Sequence, residues 1–470
     1  MLIIRIIINL IKLIISKTYH AIKNRIFHNP AHTKKRKIKI AIVGGGISGI
    51  TTAIKLKKSG YKNFKIFEKC LKVGGVWHTN RYPGCASESP SKIYQMSSER
   101  KIWKQKYCTA EQIQSYVEEL CTKYELFKKM LIGVAVQSAD WDDKTNSWLL
   151  YYDGKFERFD ILISSTGRMQ KPFIPDFPGI NEFQGIQMHT ANWGYKNPDF
   201  TGKRVGIVGT GASGSQLIPG LYRKFGRNFD LFVFQRSAAY CLEKRDKSYS
   251  SIKISLYERV PGLYRISQVI VAVRQELLMV VVAITGLFRK NTDGSDSIVV
   301  KMLKNRNYKI LQKTNKNKKL KNFTIDHLPC CKRPVISDDY LQTLTRKNVK
   351  LVNSKISKIN KNGFELETGE HIDLDVIIFA TGFDILSHMR NAIEITGIDC
   401  RKLAREWSEN RRDSDPNLTN KHPNCTRVLA RVFRIFLAQK LIFECVSKSS
   451  SSSLPDSGIG TLACLIQWHQ

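Results

Sequence analysis

Acidic residues are scarce in this chain. Its 470 residues include 76 Lys and Arg against 40 Asp and Glu, a formal net charge of +36. Paired-cysteine motifs are missing. Eleven cysteines are scattered along the chain; Cys330 and Cys331 are adjacent, and no C-x-x-C spacing occurs. That argues against zinc-ribbon and thioredoxin-like sites and fits free thiols in a reducing compartment. An unbroken apolar run of the ~18 residues a membrane span needs is absent too. MLIIRIIINLIKLIIS at the start is interrupted by Arg5, Asn9, Lys12 and Ser16. ELLMVVVAITGLF (Glu276–Phe288) is too short for a span and reads as a buried helix.

The positive charge has two readings, an anionic partner or lysine drift; lysine is abundant everywhere, including the apparent loops, which favours drift. No recognisable nucleic-acid reader motif accompanies the charge, so nucleic acid is an unlikely partner. In the first segment the four polar interruptions recur at helical spacing and form one stripe. Residues 1–37, with Lys17, Lys23, Arg25 and the basic cluster at 34–37, therefore read as a basic amphipathic segment lying on an anionic membrane surface, at its cytoplasmic face. A targeting or signal-anchor segment and a mispredicted start are the rival readings. At the other end, 431–470 contains a serine tract and an unpatterned tail, which reads as disordered.

What the chain does have is glycine in two telling places. KIKIAIVGGGISGITTAIKLKKSG carries Gly44, Gly46 and Gly49 as G-x-G-x-x-G after a β-rich run and before an amphipathic helix. Such a turn brings a pyrophosphate to the backbone and a helix N-terminus. The next strand, FKIFEKC, ends in Glu68, an acid at the distance suited to ribose hydroxyls. KRVGIVGTGASGSQLIPGL repeats the turn with Gly209, Gly211 and Gly214, Thr210 and Ser213 lying between them. Its following strand ends in Gln235-Arg236. A guanidinium there matches a 2′-phosphate, so the second site is expected to prefer NADPH, with Arg236 as selector. Two dinucleotide turns in one chain pair most simply as a flavin site facing a nicotinamide site.

Between the turns lies FQGIQMHTANWG, in which Phe183, Gly185, His189 and Trp193 stand as F-x-G-x-x-x-H-x-x-x-W. This stretch resembles the fingerprint of the Baeyer–Villiger monooxygenases, within the class B flavoprotein monooxygenases. GGVWHTNRYPGCASE, from Gly74, resembles a second family pattern, with Glu88 where the family has Asp. ESPSKIYQMS follows that pattern onward; VQSADWDDKTNSW resembles the strand returning to the flavin adenine; PCCKRPVISDDY resembles the segment bearing the catalytic arginine. STGRMQKPFIPDFPGI and VIIFATGFD resemble the two crossings between the domains. The ordered match runs from about 38 to about 410.

The resemblance implies an α/β fold: two Rossmann-like dinucleotide-binding domains, for FAD and NADPH, with a helical insert. The first part of the FAD domain is 38–165 and its atypical return 376–430. The NADPH domain is 166–240 with a return at 333–375, and the insert is 241–332. Gly75, Val76, Trp77, Tyr94 and Val136 map onto flavin contacts, and Arg333 and Glu88 onto the catalytic pair. His189 and Trp193 map onto a linker that sets domain orientation, without an acid–base role. The implied reaction uses NADPH and O2 to convert a ketone to an ester or lactone through a C4a-peroxyflavin. An N- or S-oxygenating relative is the alternative, against which Trp193 argues. A catalytically impaired, membrane-associated relative is another, favoured by Glu88 and by HPN standing where the family has G-P-N.

Overall fold

The computed structural model describes residues 38–193, 198–287, 296, 298–314, 320, 323–329, 332–385 and 392–409. The expected membrane segment 1–37, the two adjacent cysteines and the chain from 410 onward lie outside the described residues.

Short apolar runs rich in β-branched residues build two parallel sheets. IAIV (Ile40–Val43) and VIIF (Val376–Phe379) are buried at every position, as strands covered on both faces must be. The first sheet runs Met130–Ile132, Phe64–Glu68, Ile40–Val43, Ile161–Ser164. The second runs Val349–Val352, Asp230–Phe234, Arg204–Val208, Val376–Phe379, Ile186–His189. All neighbours in both are parallel. In each sheet a central strand feeds a glycine turn and a helix: Ile47–Lys58 in the first, Ala212–Phe225 in the second.

A small sheet covers one face of each. Val136, Trp148, Leu150 and Phe159 pack on Ala41, Val43 and Phe67 of the first. Ile359, Phe364 and Leu366 pack on Val208, Phe234 and Phe379 of the second. Most of the remaining buried apolar side chains form one cluster shared by both halves, from Ile42 and Ile66 through Trp77, Tyr82 and Trp193 to Ile207 and Leu217. A shared core of this kind resists independent rotation of the halves.

Two expectations need correction. The strand Val376–Phe379, assigned from sequence to the returning FAD segment, is hydrogen-bonded between Arg204–Val208 and Ile186–His189 in the second sheet. The return to the first half comes later, where Glu394–Thr396 pairs with Val136–Asp142. A fully apolar four-residue run fits the middle of either sheet, so its pattern alone could not assign it. The apolar stretch starting at Glu276 does lie in a helix, Leu263–Leu287, but Leu277 and Leu278 are 58% and 53% exposed. The side chains beyond them lie outside the described residues. That helix, with Ser251–Arg259 and Ile298–Thr314, makes the insert helical as expected.

Candidate functional site

The two glycine turns are built alike. Gly44 and Gly209 both have φ near +110° (112° and 105°), where an L side chain is strained. Each also backs onto the start of a crossing between the halves. A Cβ at Gly44 would sit 2.3 Å from the Ser165 carbonyl oxygen, and one at Gly209 would sit 2.7 Å from that of Ala380. The helices that follow begin without a side-chain cap and without an acid in the first turn. Their first N–H groups are therefore left for an anion, which the macrodipole favours. A Cβ at Gly211 would meet nothing within 4 Å, so the second turn has open room above it. These features fit a dinucleotide pyrophosphate at each turn. Gly49 and Gly214 pack closely enough that a Cβ would strike the Gly44 and Gly209 carbonyls.

Glu68 ends the second strand of its sheet and is buried. Its carboxylate accepts the Gly45 N–H at 2.6 Å and the Cys70 N–H at 2.8 Å, which fixes it beside the first turn. Gly46 faces Gly75 of the GGVW segment, whose short helix Val76–Thr79 carries Trp77. The Trp77 indole N–H donates to the Tyr94 hydroxyl at 2.9 Å, both rings being buried and set edge to face. Val136 opens its strand two residues after Val134, whose N–H donates to the Glu68 carbonyl. The residues predicted to hold a flavin are thus gathered around one turn.

The two halves meet along the helix Ala212–Phe225. A Cβ at its Gly220 would lie 2.1 Å from the Pro83 carbonyl oxygen, so backbone touches backbone there. Gln216 accepts from the Tyr82 hydroxyl at 3.1 Å and donates to the Ala86 carbonyl at 3.1 Å. Two residues beyond Ala86 stands Glu88. Arg333 of the second half donates through Nη2 to Glu88 Oε2. The Glu88 side chain is 6% exposed and that of Arg333 is 50% exposed. Burial pushes the Glu88 carboxyl above its ordinary range, and the Arg333 and Lys244 cations only partly offset this. Its other oxygen, Oε1, is buried and has no partner among the described residues.

His189 and Trp193 do not face this pair. His189 is buried, and its Nδ1 accepts the Ala191 N–H at 3.0 Å. Its ring lies edge-on to Phe383. Burial holds its pKa below the usual value, which favours the neutral ring. It packs where the two crossings pair with each other: Phe173 N–H donates to the Gly382 carbonyl, and Asp384 N–H to that of Lys171. The turn Thr190–Asn192 contacts the Val76–Thr79 helix, and Trp193 is buried edge-on to Phe200. Phe183 is buried in the second half's core, and a Cβ at Gly185 would collide with the Asp375 carbonyl oxygen. This linker joins the GGVW helix, both crossings and the second sheet.

Arg236 is exposed just past the end of its strand, Asp230–Phe234. Thr210 is buried in the turn, and Ser213 lies in the first turn of the helix. A residue that sequence reasoning passed over joins them: Lys332 donates to Ser237 Oγ at 2.8 Å, one position beyond Arg236. Two cations therefore flank the strand end. The signal was present in the sequence as the Lys-Arg pair at 332–333, but only folding brings it back to the strand.

A family model described as flavin-binding monooxygenase-like matches residues 36–283. A Baeyer–Villiger monooxygenase of Streptomyces coelicolor is 28% identical over 371 residues, covering 79% of this chain and 69% of the relative. An uncharacterised monooxygenase of Mycobacterium bovis is 30% identical over 372 residues, covering 79% and 72%. Among solved structures, OTEMO in complex with FAD and NADP superposes with a TM-score of 0.66 at 26% identity, over 80% of this chain and 76% of that one. Cyclohexanone monooxygenase from Rhodococcus sp. Phi1, bound to NADP+, shares the fold at a TM-score of 0.66 and 24% identity, over 79% and 75%. With a glycine turn in each of two halves that share one core and a family match over more than half its length, the chain belongs to the flavin-binding monooxygenase-like family.

Proposed function

We propose that this chain is an FAD- and NADPH-dependent Baeyer–Villiger monooxygenase, which converts a ketone, dioxygen, NADPH and a proton to an ester or lactone, NADP+ and water. The observation that carries this reading is the Glu88–Arg333 pair at the line where the two dinucleotide halves meet. When bound, FAD supplies hydride acceptance and oxygen activation. Gly44, Gly46, Gly49, Glu68, Gly75, Val76, Trp77, Tyr94 and Val136 would hold it. Gly209, Thr210, Gly211, Ser213 and Gly214 would cradle the NADPH pyrophosphate, and Arg236 and Lys332 would bind its 2′-phosphate.

Arg333 is a permanent cation with an exposed guanidinium, suited to stabilising the negative charge that develops on oxygen as a ketone carbonyl is attacked. Glu88 anchors it from a buried position. The glutamate reaches Arg333 despite its extra methylene, so the departure from the family's Asp does not break the pair. The free, buried Oε1 of Glu88 is an acceptor for an N–H donor of a bound ligand. His189, enclosed where the two crossings pair, would orient the halves. On this reading the FAD domain comprises 38–165 and the return beginning at 392, the NADPH domain 166–240 and 333–379, and the insert 241–332.

The test is an absorbance spectrum of the full chain, anaerobic NADPH addition, then product analysis over a ketone panel. A yellow protein that bleaches faster with NADPH than with NADH and forms esters supports the reading. Bleaching by NADPH, with dioxygen then reduced only to hydrogen peroxide and every ketone left unchanged, would leave the family and sink the Baeyer–Villiger assignment. The basic segment 1–37 is proposed to touch an anionic membrane surface. Its support is the polar stripe in the sequence, and vesicle binding of a synthetic 1–37 peptide tests it.

A further inference from the structure

The helix Leu263–Leu287 is amphipathic in the inverted sense. Its inward stripe is polar. Tyr264 donates to the Lys101 carbonyl at 2.8 Å, Gln268 to the Lys92 carbonyl at 2.7 Å, and Ser267 accepts from the Lys92 ammonium at 2.9 Å. Lys92 is itself buried and donates to the Tyr257 hydroxyl at 2.6 Å. These hydrogen bonds, with the buried Tyr264 ring edge-on to Tyr257, seat the helix on the first half. The opposite stripe is apolar and open: Ile266, Val269, Ile270, Val273 and Leu277 are 60%, 56%, 63%, 43% and 58% exposed. Their spacing of i, i+3, i+4, i+7 and i+11 puts them on one face. At about 100° per residue, Arg265 and Arg274 fall at the two edges of that face, with the exposed Glu276 beside Arg265; the arginine stems can lie along the face while their charges stay in water. The neighbouring helix Ser251–Arg259 adds the exposed Ile252 and Leu256.

A soluble surface does not ordinarily line up five exposed aliphatic side chains. We infer that this face docks on an anionic lipid surface, the apolar stripe entering the headgroup boundary and the flanking arginines meeting phosphates. Charge selects lipid over the other occupants. The chain carries +36, so a second copy would bring like charge against like charge. The chain's own apolar stretch beyond residue 424 carries Arg427, Arg431, Arg434 and Lys440 against one acid, Glu444, and would be repelled in the same way. The helix would lie on the bilayer: among the described residues no helix is long and apolar enough to cross.

The test sediments the full chain with vesicles of phosphatidylcholine alone or mixed with phosphatidylglycerol. Binding is expected only to the mixture, weakening as salt rises. With segment 1–37 in place, combined Ile266→Ser, Ile270→Ser and Val273→Ser should raise the lipid concentration needed for half-maximal sedimentation at least about tenfold, with melting unchanged because these side chains touch water. Separately, the emission of Ile270→Trp should shift to the blue on the mixed vesicles, which reads this face directly and ignores any other anchor. The inference is overturned if the triple variant sediments like the parent and Ile270→Trp keeps its aqueous emission. It is equally overturned if the parent is a dimer that the triple variant turns into a monomer, or if the emission of Ile270→Trp without vesicles becomes aqueous only once the chain beyond 424 is deleted.

Discussion

Arg333 and Glu88 lie 245 positions apart and are hydrogen-bonded to each other. The carboxylate is hidden and the guanidinium half open, so the pair is a buried anchor holding an accessible cation. Each partner belongs to a different half, and the helix Ala212–Phe225 against Pro83 and Ala86 sets the distance between them.

Replacing Arg333 with alanine leaves that carboxyl buried without its nearest cation. Burial already raises its proton affinity and Arg333 lowers it, so Arg333→Ala raises it further. The acidic limb of the pH profile for flavin reduction should move to higher pH. Ester formation should fall by at least ~100-fold while flavin is retained, as happens when a charge that stabilises the transition state is removed. Stopped-flow reduction and product quantification separate the two effects. An unchanged yield of ester per NADPH would remove Arg333 from the reaction.

Coenzyme choice should rest on two cations. Arg236→Ala is expected to raise the KM for NADPH by ~10–100-fold, the scale of losing hydrogen bonds between charged groups, and to leave NADH unaffected. Lys332→Ala, reaching the same strand end through Ser237, should act in the same direction by a smaller factor. Steady-state kinetics with both coenzymes decide it; an equal loss for NADH would mean that the variants disturb the fold.

Two glycines should behave oppositely. Gly220→Val forces a side chain against the Pro83 carbonyl, a backbone group that cannot yield unless the halves part. A loss of ~1–3 kcal/mol is expected, read by thermal melting. Gly211→Ala meets open space and has an ordinary φ of −74°, so melting should hold within ~0.5 kcal/mol. Its added methyl stands where a pyrophosphate would approach, so NADPH binding should weaken while the fold does not.

Acid should loosen the first half through Glu99. This buried carboxyl is bonded by Lys58, Lys123 and Tyr124. Burial alone would push it up; those three partners prevail and bring it down to about 2. A depressed carboxyl contributes stability that is present above its unfolded pKa of ~4.3 and lost as pH falls towards 2. Glu99→Gln should therefore lower the melting temperature at neutral pH and flatten its fall between pH ~4 and 2. Parallel melting curves for parent and variant across that window would exclude Glu99 as the responsible group.

Much of the site was legible because its parts are local. A turn needing φ near +110° at Gly44 or Gly209 leaves a glycine in the sequence, and a buried parallel strand leaves an apolar run. The long-range parts left weaker traces. The Lys332–Ser237 contact joins residues 95 positions apart. The strand Val376–Phe379 entered the second sheet because its fully buried face matched the gap beside Arg204–Val208, a match that four apolar letters do not specify. The start of the stretch after Glu276, Leu277 and Leu278, is exposed for a related reason. Apolar composition implies an apolar neighbour, and the helix is held instead by hydrogen bonds on its other side.

The amino-acid sequence by itself determined that there are two dinucleotide turns, because each is dictated by backbone demands within a few residues, and it carries the family pattern that joins them. The resemblance already paired Glu88 with Arg333; only the tertiary structure decided that Glu88 reaches it from a buried position, that His189 is enclosed between two crossings, and that one insert helix turns an apolar stripe outward. Those outcomes depend on which of many comparable apolar and polar surfaces pack together, a choice made by the whole chain at once.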